Sequence, residues 1–326
     1  MRPQGFALAL LLCLGVAGCT SKSGIGDVLD KPSLEITNSV RPNVPLKAEA
    51  AAGQLDEIAT DVQTAVVDTE IEPRVQAVAM IAPDNPTAAA KAIAGSINRS
   101  RFRDAKPINF GKKTSPKQLA VHGVDVSRWQ GEIDWEKLRS QGANFAYIKA
   151  TDGGDHLDPM FRQNWRGAHK AGLRRGAYHF FYWCRSAGEQ ADWFIRNVPK
   201  VEGALPPVID VEYNHLSNCK KRLSRKLVLE KMKVFMDRLE AHYGQRPVIY
   251  TAPDFYRDNL SGEFKDYPFW LRAVAQHPSK VYPNRKWVFW QYSGSGLSHG
   301  VEGKIDLNVF HGSEGQWHQW VRRNAG

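Results

Sequence analysis

The sequence predicts an α/β fold, a modified TIM-like barrel of five βα units followed by three strands. Three observations predict it. From Leu119 onward, short β-branched and aromatic runs alternate with helical stretches, the pattern of a parallel sheet with crossover helices. After Thr251 the helices drop out, and three strand-like runs follow with only loops between them. Five strands and three make eight, enough to close a barrel.

Each element has its own signal. Leu119 to Ser127 alternates as strand one, and Glu136 to Gln141 is a short helix. Phe145 to Thr151 is strand two. Pro159 to Ala171 is helical and is stopped by Gly172, whose missing Cβ tolerates a left-handed cap. Gly176 to Tyr182 is strand three, and Ala187 to Asn197 is a helix. Strand four is Val208-Ile-Asp-Val-Glu212, opened by two prolines that suit the first residues of a strand. Ser224 to Tyr243 is an amphipathic helix with Leu227, Met232, Phe235, Met236 and Leu239 near one face. Pro247 to Thr251 is strand five. Phe269 to Val274, Trp287 to Tyr292 and Ile305 to Phe310 are the last three.

Strand four carries the chemistry. Alternate side chains of a strand share a face, so Val208, Asp210 and Glu212 point one way and Ile209 and Val211 the other. Asp210 and Glu212 then stand about 6.5–7 Å apart. Two carboxylates this close in an apolar strand are costly unless used, and they push each other's pKa values apart. The plain alternative is a strand end with exposed acids. Asp125 ends strand one and Asp306 begins the last strand, so four acids are expected to converge on one cleft.

The 326 residues divide into three parts. Residues 1–18 read as a lipoprotein signal peptide: Arg2 supplies a positive start, and Phe6 to Gly18 is an apolar run too short to span a bilayer. Val16-Ala-Gly-Cys19 resembles a lipobox, with Cys19 lipidated; secretion with cleavage at the same small residues is the alternative. Thr20 after the Cys favours an outer membrane, with the protein facing the periplasm. Residues 19–117 lack Trp and Tyr and read as a low-order Ala/Pro-rich spacer, with one helix over Asn85 to Arg101. Residues 118–326 are the barrel. Cys184 and Cys219 both follow predicted strands in a compartment that permits disulfides, so a bridge between them is preferred over two free thiols.

The formal charge of +10 suits anionic polymers or membrane surfaces, but no nucleic-acid-binding signature appears. There is no His-Glu-x-x-His or Cys-x-x-Cys, and Asp152 to Asp158 lacks the closing Glu of a calcium loop. No metal and no cofactor is expected.

Leu119 to about Phe310 resembles glycoside hydrolase family 25, the lysozymes that cut peptidoglycan. The matching pieces are Gly123-Val-Asp-Val-Ser-Arg-Trp-Gln, Phe145-Ala-Tyr-Ile-Lys-Ala-Thr-Asp-Gly, Asp158-Pro-Met-Phe, Gly176-Ala-Tyr-His-Phe, Pro207-Val-Ile-Asp-Val-Glu, Trp290-Gln-Tyr-Ser and Ile305-Asp-Leu-Asn-Val-Phe. The resemblance implies cleavage of the β-1,4 bond between N-acetylmuramic acid and N-acetylglucosamine. It implies Glu212 as general acid, with Asp125, Asp210 and Asp306 around it. A general acid must hold its proton near pH 6–7, which asks for a carboxyl well above its free value of about 4.3.

The pleat spacing lies between the retaining and inverting separations, so spacing alone leaves the stereochemistry open. The resemblance implies retention, through either an enzyme carboxylate or the sugar's own acetamido group. In the second route, slightly favoured, Asp210 would orient that group.

Tyr178, Tyr213, Trp270, Trp290, Gln291 and Tyr292 are candidates for sugar contact, against the commoner role of barrel packing. His179 reads as a core histidine, and Lys149 as a residue that steers or pairs with an acid. Two positions depart from the family pattern. Asp152 stands for the usual Glu, and Arg272 stands where a small residue is common. The partners expected are peptidoglycan glycan strands and a membrane reached through Cys19, with the protein a monomer. The alternative function is a non-catalytic peptidoglycan-binding envelope lipoprotein.

Overall fold

In the computed structural model, residues 95–214, 219 and 221–326 are described. The expected signal peptide, Cys19 and most of the expected spacer fall within residues 1–94, outside the described residues. β1 (Arg103–Asp104) precedes the barrel. The barrel strands are β2 (His122–Val126), β3 (Phe145–Asp152), β5 (Arg174–Phe180), β6 (Val208–Val211), β7 (Val248–Thr251), β8 (Phe269–Arg272), β9 (Phe289–Leu297) and β10 (Ile305–Phe310); β4 (His156–Leu157) pairs only with β3. Neighbours run β2-β3-β5-β6-β7-β8-β9-β10, and β10 pairs back onto β2, closing eight strands. Seven are parallel. β10 alone is antiparallel to both neighbours.

The crossovers are α1 (Trp135–Ser140), α2 (Phe161–Lys170), α3 (Ala187–Asn197) and α4 (Arg225–Tyr243). Two later connections carry only short helical pieces. Pro253–Phe255 runs into a π turn, Tyr256–Leu260, before β8. Pro278–Val281 lies between β8 and β9, where only a loop was expected, so the division into five βα units and three bare strands is not reproduced as such. Between β7 and β8 the sequence offers no long amphipathic run, and packing rather than propensity is what stabilises most helices. α4 shows the local logic. Ser224 caps its first turn, Gly244 ends it at φ +72°, and Val228, Met232, Phe235, Met236 and Leu239 are buried. Leu227, expected on that face, is exposed, and Val228 takes its place.

Strand alternation sorts the core into two layers. Ile209, Val211, Ile249 and Leu271 pack outward against the helices. Val208, Val248, Tyr250, Trp270, Tyr147 and Phe145 fill the barrel interior. α5 (Glu314–Asn324), absent from the sequence reading, closes the floor with Trp317 and Val321. Its start was marked by the Ser313–Gln316 capping box.

Residues 95–117 correct the spacer boundary. Composition assigned them to the spacer, yet they lie along the barrel wall. β1 pairs with β9, Asn98 donates to the Arg139 carbonyl at 2.8 Å, and Phe110 meets Trp290 edge-on at 4.9 Å. Residues 95–101 carry no helix, contrary to the C-terminal end of the helix expected over Asn85 to Arg101. Specific backbone and side-chain bonds hold this strap, and composition does not report them.

Candidate active site

All four predicted acids reach one rim. Asp125 is next to the last residue of β2, Asp210 is in β6, and Glu212 follows β6 directly. Asp306 is near the start of β10, and because that strand runs backwards its beginning lies at the same end as the others' termini. It stands directly opposite Asp125 in the ladder. Each of the four side chains is 5% exposed or less. Two buried phenols register their convergence. Burial first, and then Asp125, Asp210, Asp158 and Asp306, hold the Tyr178 hydroxyl well above its usual range. Burial, Glu212, Asp210 and Asp125 do the same to Tyr250, with Arg272 opposing.

Asp125 is fixed by amides. Gln291 Nε2 donates to its Oδ2 at 3.0 Å and Asn308 Nδ2 to the same atom at 2.6 Å. Each amide is held in turn: Tyr250 donates to Gln291 Oε1 at 2.9 Å, and Trp270 Nε1 to Asn308 Oδ1 at 2.8 Å. The indole of Trp270 stacks on Tyr147 at 5.1 Å. Tyr147 in turn lies over Gly176, where a Cβ would sit 2.2 Å from the ring. Hydrogen-bond donors on a carboxylate favour its charged form, so this network suits a fixed anion.

Glu212 is held differently. Its carbonyl accepts from Trp183 Nε1 at 3.1 Å. Cys184, the next residue after Trp183, is disulfide-bonded to Cys219, with Cα atoms 5.9 Å apart.

The expected sugar-contacting residues divide. Tyr178, Trp270 and Gln291 face the interior among the acids. Trp290 does not: it points into the helix layer, donates to the Ala273 carbonyl at 2.8 Å and is fully buried. Tyr292 also points outward and bonds His122 at 3.0 Å. Three consecutive strand residues cannot share a face, and Gln291 is the one turned inward. Tyr213 turns away as well, its hydroxyl donating to Asp258 and accepting from Asn259, both at 3.0 Å, with Arg222 over its ring.

Tyr250 and Trp183 were missed, and Asn308, placed on one face with Asp306, was given no role. Tyr250 lies beside Asp210 in register, and Asn308 shares a strand face with Asp306, so the pattern held a signal for both. Nothing local marked Trp183. Lys149 pairs with Asp152 at 2.8 Å, which accounts for the acid at that departure from the family pattern. His179 is a core histidine, stacked on Phe235 and bonded to Thr151 and Gln190.

The profile of glycosyl hydrolases family 25 matches residues 124–301. The chain belongs to that family. Family 25 membership makes it a glycoside hydrolase, and the matched span carries Asp125, Asp210 and Glu212 while stopping short of Asp306. The chain is 38% identical over 225 residues to the uncharacterized protein YegX of Escherichia coli O157:H7, covering 68% of this chain and 80% of that one. It is 37% identical over 203 residues to lysozyme M1 of Streptomyces globisporus, covering 59% of this chain and 68% of that one. Its fold is similar to a solved family 25 glycosyl hydrolase from Bacillus anthracis, with a TM-score of 0.59 at 38% identity over 68% of this chain and 98% of the other.

Proposed function

We propose that this family 25 hydrolase is a lysozyme, an N-acetylmuramidase that hydrolyses the β-1,4 bond between N-acetylmuramic acid and N-acetylglucosamine in peptidoglycan. One observation carries the reading: four buried carboxylates at a single barrel rim, in a chain 37% identical to a protein named lysozyme. Glu212 is assigned as general acid. Glu212 is buried and follows Asp210 by two residues, and burial and a nearby carboxylate each favour the protonated form of a carboxyl. It would protonate the leaving oxygen as the bond to the anomeric carbon breaks, leaving an oxocarbenium-like centre. Asp125, held as an anion by two amides, would stabilise that positive charge. Asp210 would orient the sugar's acetamido group for attack in a substrate-assisted, retaining route.

The enzyme would act in the cell envelope as a monomer, anchored by lipid on Cys19 and facing the periplasm from the outer membrane. The Cys184–Cys219 bridge supports an oxidising compartment. Labelling cells with radioactive palmitate tests the anchor: the protein should carry label and Cys19→Ser should not, while an unlabelled parent protein would refute it.

The reaction is tested by digesting purified peptidoglycan and identifying the new reducing ends by mass spectrometry. Muramic acid ends are expected. Glucosamine ends would move the cut to the other bond, and an absence of products would leave a wall-binding protein.

A further inference from the structure

Glu212 lies just past β6, beyond Val211, the last residue of that strand to pair with β7. Its backbone is gripped from the turn after β5, where Trp183 Nε1 meets its carbonyl at 3.1 Å. That turn is itself pinned. Tyr182 N donates to Gln190 Oε1 of α3 at 2.8 Å, and Gln190 Nε2 donates to the Tyr182 carbonyl at 3.0 Å. Lys231 of α4 donates to the Trp183 carbonyl at 3.2 Å and to that of Arg185 at 2.5 Å. The Trp183 ring is wedged between Phe255, stacked at 4.9 Å, and Phe181 at 4.8 Å. The adjoining Cys184 binds Cys219, on the far side of Glu212 in the chain. A turn fixed by two helices thus holds the chain at Glu212 by a hydrogen bond and beyond it by a covalent one.

We propose that Trp183 is a positioning residue for Glu212, and that the Cys184–Cys219 disulfide ties Cys219 to the Trp183 turn so that the indole bond persists. The proposal rests on the reading of Glu212 as general acid. A proton donor must meet the glycosidic oxygen within hydrogen-bond reach, and a misplacement of about 1 Å can cost on the order of a hundredfold in rate. The indole sets where the Glu212 main chain stands, and hence where its carboxyl can reach. Its loss therefore weakens proton transfer and leaves sugar binding intact.

Trp183→Phe keeps the ring stack and deletes the N–H. With soluble peptidoglycan fragments, kcat should fall by about ten- to a hundredfold while KM changes by less than about twofold. The slowing of kcat in D2O should grow, because proton transfer becomes rate-limiting. The double variant Cys184→Ser/Cys219→Ser should show the same pattern, less strongly. An unchanged kcat, or a loss with KM rising in proportion and no change in the D2O effect, would overturn the proposal. Glu212→Gln measured alongside separates the two ideas. If it matches the parent, the assignment of Glu212 fails; if it is inactive while Trp183→Phe matches the parent, only the positioning role fails.

Discussion

Asp125 sits inside a barrel strand, and its carboxylate takes two side-chain amides from β9 and β10. Glu212 sits just past its strand, and its main chain is held by the indole of Trp183, next to which Cys184 is bonded to Cys219. The first arrangement fixes charge as well as position, because the donors act on the carboxylate itself. The second fixes the backbone through the carbonyl. An anion that must stay charged benefits from the first. A grip on the main chain sets where the Glu212 carboxyl can reach without itself acting on the carboxyl's charge.

The comparison can be broken at the Asp125 end. Asp125→Asn keeps the shape and removes the charge, and kcat should fall on the order of a hundredfold with little change in thermal midpoint. An equal loss of stability and activity would make Asp125 a packing residue. Asn308→Leu should act more mildly on rate, by about tenfold. It should cost about 1–3 kcal/mol of stability, because the buried Trp270 N–H loses its acceptor. Urea unfolding measures that cost, and a variant as stable as the parent would show that the amide network does not hold the rim.

The smallest effect separates the acids of the rim from the fold's own titrating groups. Burial lowers His122 to about 3, with Arg101 adding to it, and lowers His179 to about 4. Both rings are satisfied when neutral, His122 between Tyr292 and the Leu119 carbonyl, His179 between Thr151 and Gln190. Their folded values lie below the unfolded value of about 6.5, so the unfolded chain takes up protons that the folded chain refuses. Stability is therefore full above about pH 6.5. It falls as pH drops through the window that ends at about 4 for His179 and about 3 for His122, by up to about 1.4 kcal/mol per pH unit for each ring. Urea midpoints at pH 7 and pH 5 should differ accordingly, and His122→Asn should flatten the slope. Equal midpoints would mean that these rings do not stay neutral in the folded chain.

Much of this was legible in the chain. The alternation of Val208, Asp210 and Glu212 against Ile209 and Val211 separated the inward face from the outward one, because strand period and burial agree there. Asp306 was found by its residue type, but the reason it reaches the rim was not. Strand direction is a property of the closed sheet, and β10 is the only one of the eight that runs backwards. Trp290 and Tyr292 invited a cleft reading as part of an aromatic run, while the pleat turns both neighbours of Gln291 to the opposite face. Trp183 was invisible because its bond to Glu212 spans 29 positions and uses a backbone acceptor, which leaves no mark in residue type.

The central claim is that position 212 supplies the proton. Glu212→Gln should fold with the parent's circular dichroism and thermal midpoint, and release muropeptides from purified sacculi at least about a hundredfold more slowly. A folded Glu212→Gln protein that releases them at the parent's rate would contradict the account.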